Sequence, residues 1–310
     1  MRANCLIFVL LIFSMPLQSG AAVTVGDLPG DTIWYMHIDL EAMRSTESGG
    51  KIYVWFEDEI ADEVSEEIGV DLNTEVNSIT AYSDATHGTV VVVAGPLTKE
   101  SQERLLALAT VEAEGDIDLL EYKGMTYYHV GDEDDENYRS DEPFEDLEDS
   151  AWFSFAVDDK AILASTEAQL KALLDSGGEI AGAGSHDGAL FVLSADNTFL
   201  QAGMQADNMV MEDDDDWESN ILRNTKQAAL LIADKAGLIA IEAQLVSVDP
   251  KMAAAIGGIV NGLISLQAFN SELDPEIQEL IRNTRVEVTD NTLSINTVID
   301  PDIVAAVLSD

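Results

Sequence analysis

The sequence predicts an α+β protein with two related lobes, each an antiparallel sheet with helices packed mainly on one face. Three observations support this fold class. Short apolar strands occur in pairs joined by turn-length links, and such hairpins are antiparallel. Segments with helical spacing of apolar residues separate the pairs. The order strand, helical stretch, hairpin, helix, hairpin, helix occurs twice along the 310 residues.

The elements of the first lobe follow from apolar spacing and turn residues. Continuous apolar runs mark the strands, whereas apolar residues at every third or fourth position mark the helices. Thr98 is placed to cap the second helix, and Thr166 forms a capping box with Gln169 in the third. Strands are predicted at 33–38, 77–83, 89–95, 117–122, 125–130, 152–157 and 161–165, and helices at 51–69, 97–110 and 166–175.

The second lobe repeats this plan with low sequence identity. Residues 189–196 match 32–39 at an offset of 157, and both strands end in aspartate. The hairpin at 285–298 is expected to take the place of the hairpin at 117–130. Strands are predicted at 189–196, 227–233, 238–247, 285–289 and 293–298, and helices at 250–269 and 300–308.

The predicted domain organisation has four parts. A signal peptide occupies 1–21, the N-terminal lobe 22–176, a glycine-rich linker 177–188 and the C-terminal lobe 189–310. The pattern fits lobes joined edge to edge and also lobes packed face to face. A cleft between the lobes is the place where we expect any ligand, because pockets often form at domain interfaces.

The N-terminus has the pattern of a cleaved secretory signal. The apolar stretch 6–15 follows an arginine, Pro16 ends it, and cleavage after Ala21 or Ala22 fits equally well. A retained membrane anchor is the alternative, but about twelve apolar residues are too few to cross roughly 30 Å of hydrocarbon. The only cysteine, Cys5, lies inside this signal, so the mature chain has no disulfide. The protein is therefore expected in the periplasm or outside the cell.

The chain is strongly acidic. It has 15 Lys and Arg against 59 Asp and Glu, for a formal net charge of −44. Such a field repels nucleic acid and anionic lipid headgroups, so both are poor partners and no nucleic acid is expected to bind. Self-repulsion also destabilises the compact state unless salt screens it, since the Debye length falls to about 3–4 Å at marine or higher ionic strength. The composition is therefore typical of a halotolerant protein.

Three segments carry a resemblance to a known group of proteins. They are LPGDTIWYMHIDLEAM at 28–43, VVVVAGPLTKESQERLLAL at 90–108 and EYKGMTYYHV at 121–130. Their order of strand, G-x-[LF] motif and helix resembles that of uncharacterised exported α+β proteins of Gram-negative and planctomycete bacteria. The resemblance covers most of the mature chain and implies no activity, so it transfers no functional residues.

Two acidic runs, at 131–149 and 212–218, are the candidate metal sites. Calcium favours many carboxylate oxygens, and it is the one cofactor that the sequence suggests. EF-hand spacing is absent, because the sixth position is Asn137 and the twelfth is Pro143. Solvated extensions of hairpins are the favoured interpretation. The candidate ligands are Asp132, Asp134, Glu136, Asp213 and Asp215.

Motifs for catalysis are absent from the sequence. It has no G-x-S-x-G elbow and no S-x-x-K, and its four histidines lack zinc-site spacing. His37 and His129 lie in predicted strands and could be neighbours in one sheet. The repeat selects one carboxylate pair, Asp39 and Asp196, for which helix capping is favoured over acid–base chemistry. No catalytic residue is therefore predicted.

The segment 252–269 is apolar and carries no charge. A membrane span is one interpretation, but Asn261, Ser265 and several glycines and alanines argue against it. Small residues such as Gly257 and Gly258 favour a buried helix packed closely on a sheet. We therefore expect no stable membrane insertion after signal cleavage.

The favoured function is a noncatalytic exported protein that acts as a binding or accessory module of the cell envelope. The absence of a catalytic motif, the duplication and the acidic loops support this hypothesis. One alternative is a hydrolase that uses carboxylates alone in the cleft between the lobes, which requires one carboxyl group with a raised pKa. The other is a surface protein whose acidic loops become ordered when they bind Ca²⁺.

Overall fold

The computed structural model confirms an α+β fold with one large antiparallel sheet. The structure describes residues 32–84, 88–112, 117–131, 147, 150–180, 188–200, 221, 223–268 and 275–308. The strands are β1 Thr32–Asp39, β2 Ser78–Asp84, β3 Gly88–Ala94, β4 Ile117–Tyr122, β5 Met125–Gly131, β6 Ser150–Ser154, β7 Lys160–Ala164, β8 Ala189–Asp196, β9 Thr225–Lys235, β10 Leu238–Ser247, β11 Arg285–Thr289 and β12 Thr292–Ile299. The helices are α1 Leu40–Ser45, α2 Glu47–Phe56, α3 Asp62–Ile68, α4 Lys99–Glu112, α5 Glu167–Ser176, α6 Pro250–Gln267, α7 Pro275–Asn283 and α8 Pro301–Leu308, and the π-helical turn Glu57–Ala61 joins α2 to α3.

The two halves of the chain meet edge to edge. The strand order is β11-β12-β10-β9-β8-β1-β2-β3-β7-β6-β5-β4, so β1 and β8 lie side by side at the centre. Met36 pairs with Leu193, and these two residues are related by the 157-residue offset of the repeat. Two related halves that meet about a local two-fold axis would have this register. Because β1 and β8 are hydrogen-bonded neighbours, the sheet continues across the boundary between the two halves, and the expected cleft is not found at this boundary.

One predicted correspondence between the halves is wrong. In the second half β12 lies next to β10, and in the first half β7 lies next to β3. The β11–β12 hairpin of the second half therefore occupies the position that the β6–β7 hairpin has in the first half. The β4–β5 hairpin instead adds two strands at the outer edge of the first half. Both hairpins are short and apolar, and chain order does not show which one returns to pair with the inner strand.

The main core lies on one face of the sheet, which we call the first face. Ile38, Ile79 and Val93 are cross-strand partners on this face, and helical residues pack against them. Buried members of this core include Leu40, Met43, Ile52, Phe56, Ile239 and Ile299. Residues of α4, α7 and α8 also contact this cluster. The prediction that helices pack mainly on one face is therefore confirmed.

A smaller core lies on the opposite face, under α5. Val92 pairs with Ile162 there, and Leu170 and Leu173 of α5 are buried against them. Thr166 caps α5 by accepting a hydrogen bond from the Gln169 N–H, as predicted. The described contacts of this helix are with strands of the first half, among them β3, β5, β6 and β7.

The first helical region begins earlier than the predicted start at residue 51. Asp39 and Thr46 cap α1 and α2 with their side chains. The bend between these helices is tight, and a Cβ on Gly49 would lie 2.7 Å from the Cα of Met43. Only glycine fits this contact. The segment around Gly49 is rich in Ser and Gly, a composition typical of a loop, but it is helical here.

Candidate functional site

The residues proposed to bind calcium are not described by the structure. Asp132, Asp134, Glu136, Asp213 and Asp215 lie outside the described residues, so calcium binding stays a prediction. Within the described ranges, no group of three or more His, Cys, Asp or Glu side chains is placed to hold a metal ion.

The two repeat-related aspartates are helix caps. Asp39 Oδ1 accepts a hydrogen bond from the Ala42 N–H at 2.7 Å, and Asp196 Oδ1 accepts one from the Phe199 N–H at 3.0 Å. Each aspartate thus bonds the backbone three residues ahead, which is the geometry of an N-cap. The favoured capping interpretation is confirmed for both residues.

The two strand histidines are not neighbours. His37 lies in β1 and His129 in β5, with four strands between them. Five strand spacings correspond to roughly 24 Å, which excludes a shared metal ion. His37 is hydrogen-bonded to Thr80 at 2.8 Å. The other two histidines, His87 and His186, lie outside the described residues.

His129 belongs to a buried aromatic cluster beneath α5. Its ring stacks on Trp152 with a centroid distance of 3.9 Å, and its Nε2 lies 3.1 Å from Ser150 Oγ. Tyr127 donates a hydrogen bond to Glu167 at the start of α5. The Trp152 Nε1–H is buried and has no hydrogen-bond partner in the described part of the chain. These contacts are those of a packed core with one unsatisfied donor.

Three carboxyl groups have a resolved pKa shift, and none of the three has the raised pKa that would favour the hydrolase hypothesis. Burial raises the pKa of Glu75, but hydrogen bonds from Ser101, Thr98 and the Asp71 backbone outweigh burial and lower it to about 2. Burial likewise opposes the hydrogen bonds of Glu167 to Lys171 and Tyr127, which lower its pKa. A hydrogen bond from Lys123 lowers the pKa of Asp175.

Helix α6 rests on the outer strands of the second half through one narrow side. Ala253, Ile256 and Gly257 are its buried residues. A Cβ on Gly257 would lie 2.5 Å from Val288 Cγ2, so glycine lets the helix approach β11 closely. At the start of the helix, Asp249 accepts hydrogen bonds from the next backbone N–H groups. The helix is thus firmly placed at its N-terminal half.

The C-terminal half of α6 is apolar and exposed. Ile259, Leu263 and Leu266 have exposed fractions of 45%, 48% and 69%. We call these three side chains, together with Gly258 and Gly262, the α6 face. The expected buried helix is therefore only half correct: Ala253 and Gly257 pack on the sheet, but no described residue lies within 4 Å of a Cβ built on Gly258 or Gly262.

The α6 face differs from the rest of the surface in its charge. No charged residue occurs between Met252 and Gln267, although the whole chain has a formal net charge of −44. A helix that is apolar on all sides normally has a partner on each side. In the part of the chain that the structure describes, no helix is both long and apolar enough to cross a membrane.

Comparisons with known proteins show only distant likeness. The chain matches no protein-family model and no curated protein. Among solved structures it is similar to crystal form IV of TP0453, with a TM-score of 0.45 and 9% identity over 92% of this chain and 96% of that one. Crystal form III of TP0453 gives a TM-score of 0.43 and 11% identity over 93% and 99% of the two chains. This degree of likeness transfers no activity or partner.

Proposed function

We propose that this is a noncatalytic, exported protein of the cell envelope, and that it binds a protein partner through the α6 face. The observation that carries the proposal is the exposed ridge of Ile259, Leu263 and Leu266, on a helix that has no charged residue from Met252 to Gln267. Contiguous apolar surface on a soluble domain marks interaction sites, whereas single exposed apolar residues need no explanation.

The ridge supplies part of the free energy of binding, and further contacts must offset the cost of association. Full burial of a Leu or Ile side chain contributes roughly 1.5–3 kcal/mol, so covering three half-exposed side chains contributes on the order of 3 kcal/mol. Exposed apolar surface on an otherwise acidic chain favours one defined contact over general aggregation, because the net charge of −44 keeps molecules apart elsewhere.

The proposed location rests on the N-terminal signal pattern and on the acidic composition. A net charge of −44 suits a surface in contact with a saline medium, where ions screen the repulsion. The calcium-responsive alternative depends on acidic runs outside the described residues. The hydrolase alternative has no support from the described carboxyl groups, whose resolved pKa shifts are all downward.

Site-specific photo-crosslinking in the organism that encodes the protein tests this proposal. A photoreactive amino acid replaces Leu263 in the α6 face or, as the matched control, Val111 of α4, which is 73% exposed. We expect a discrete crosslinked protein product in the envelope fraction from position 263 and none from position 111. Equal products from both positions, or none from position 263, would refute the proposed binding surface.

A further inference from the structure

The α6 face offers both a ridge and a groove. Ile259 and Leu263 form one row of side chains at i and i+4, and the adjacent row consists of Gly258 and Gly262 followed by Leu266. Both glycine positions are open, since no atom of the described residues lies within 4 Å of a Cβ built at either one. Two helices pack when a row of side chains on one helix enters the groove beside the corresponding row on the other helix. The two helix axes then most often cross at about −50°.

A surface with a ridge next to its own groove is self-complementary. In a two-fold contact the same patch serves both partners, so it must present both shapes. From this geometry we propose that the partner of α6 is a second copy of this chain, with two α6 helices crossing at Gly258 and Gly262. This inference rests on the proposed binding function of the α6 face.

Charge restricts where two copies can meet. Two copies that each carry −44 repel one another, so they can approach only where acids are absent. Every other described helix contains at least one Asp or Glu, whereas α6 contains none. The contact therefore brings together the two least acidic helical surfaces, and screening by salt removes the remaining repulsion.

The size of the contact predicts a weak dimer. Stable interfaces bury roughly 800 Å² on each partner, and a crossing of two helices about 27 Å long buries less. Val288 of β11, which lies beside Gly257 and is 40% exposed, extends the apolar surface. We expect weak association that strengthens with salt.

Sedimentation equilibrium of the protein made from its full-length gene tests the dimer between about 0.1 M and 2 M NaCl. Gly262→Leu fills the groove and also removes an exposed helical glycine, so it should not lower the melting temperature. We expect the wild type to dimerise more tightly as salt rises and Gly262→Leu to weaken dimerisation at least about tenfold. Val111→Ser, which removes exposed apolar surface elsewhere, should dimerise like the wild type.

Single-cysteine crosslinking gives a second readout. In a Cys5→Ser background, Ser265→Cys places a thiol beside the crossing point, where the two-fold axis brings equivalent residues together. Oxidation should give a covalent dimer from Ser265→Cys and much less from the control Val111→Cys. A chain that stays monomeric at every salt concentration, or a dimer unaffected by Gly262→Leu, would overturn the inference.

Failure of this inference is distinguishable from failure of the proposed function. A monomer whose Leu263 position still crosslinks to a different envelope protein would overturn the dimer but retain the binding surface. Flotation with neutral phosphatidylcholine vesicles, abolished by Leu263→Glu, would show a lipid occupant and overturn both. Dimerisation that both Leu263→Glu and Gly262→Leu disrupt would support both.

Discussion

The buried carboxylate of Glu75 allows a quantitative prediction. Its side chain is 6% exposed and accepts hydrogen bonds from the Thr98 N–H at 2.9 Å and the Asp71 N–H at 3.1 Å. Ser101 Oγ donates to it at 2.6 Å. This carboxylate therefore joins the loop before β2 to the first turn of α4. Replacing it with Gln removes the charge and places an amide donor against these donors.

The free-energy change follows from the pKa. Hydrogen bonding outweighs burial and lowers the pKa of Glu75 from 4.5 to about 2. At 1.36 kcal/mol per pKa unit, this corresponds to about 3 kcal/mol of stability. Because the pKa is lower in the folded state, this stability is fully present above pH 4.5 and is lost as the pH falls through about 2.

Urea unfolding of the wild type and Glu75→Gln across this pH range measures the effect. The difference in free energy of unfolding should be about 2–3 kcal/mol at pH 7 and should shrink as the pH falls. Glu100→Gln is the control, because Glu100 is exposed and pairs only with Arg104 four residues away on the same helix. A difference that is independent of pH, or no larger than that of Glu100→Gln, would refute the reasoning.

Three further predictions concern stability. Thr297 is 8% exposed, and its hydroxyl has no hydrogen-bond partner among the described residues. Thr297→Val should therefore leave the free energy of unfolding unchanged or raise it by up to about 1 kcal/mol, and a clear loss of stability would contradict this. Arg44 donates hydrogen bonds to the carbonyls of Leu72 and Val76 with two nitrogens of its planar guanidinium group. Arg44→Lys should therefore lower the free energy of unfolding in urea by about 1–2 kcal/mol, and an unchanged free energy would show that the planar guanidinium geometry is unimportant. The melting temperature should rise steadily with NaCl because the chain carries −44, and a salt-independent melt would disprove the self-repulsion.

Local chemistry made most of the secondary structure predictable. The predicted strands at 189–196, 238–247 and 285–289 match β8, β10 and β11 at both ends. Apolar alternation, turn residues and caps act over only a few residues, so the sequence displays them directly. The capping functions of Asp39 and Asp196 were predictable for the same reason. Helix α7 was not predicted, although the 3- and 4-residue spacing of its Ile277, Leu280 and Ile281 indicates an amphipathic helix.

The candidate site was much less predictable. The uncharged segment from Met252 is visible in the sequence, but its composition alone favours burial. Whether a helix is covered on one side or on all sides depends on how many elements pack around it. Of its residues, only Ala253, Ile256 and Gly257 are buried on the sheet, which leaves Leu263 and Leu266 exposed.

The sequence by itself determined the fold class, most strands and helices, the two aspartate caps and the strongly acidic surface. Only the tertiary structure decided the pairing of β1 with β8, the position of the β11–β12 hairpin, the separation of His37 from His129 and the exposure of α6. Strand order and helix coverage depend on contacts between residues far apart in the chain. Hairpins of similar apolar pattern can occupy several edges of a sheet, and only the packing of the whole chain selects one.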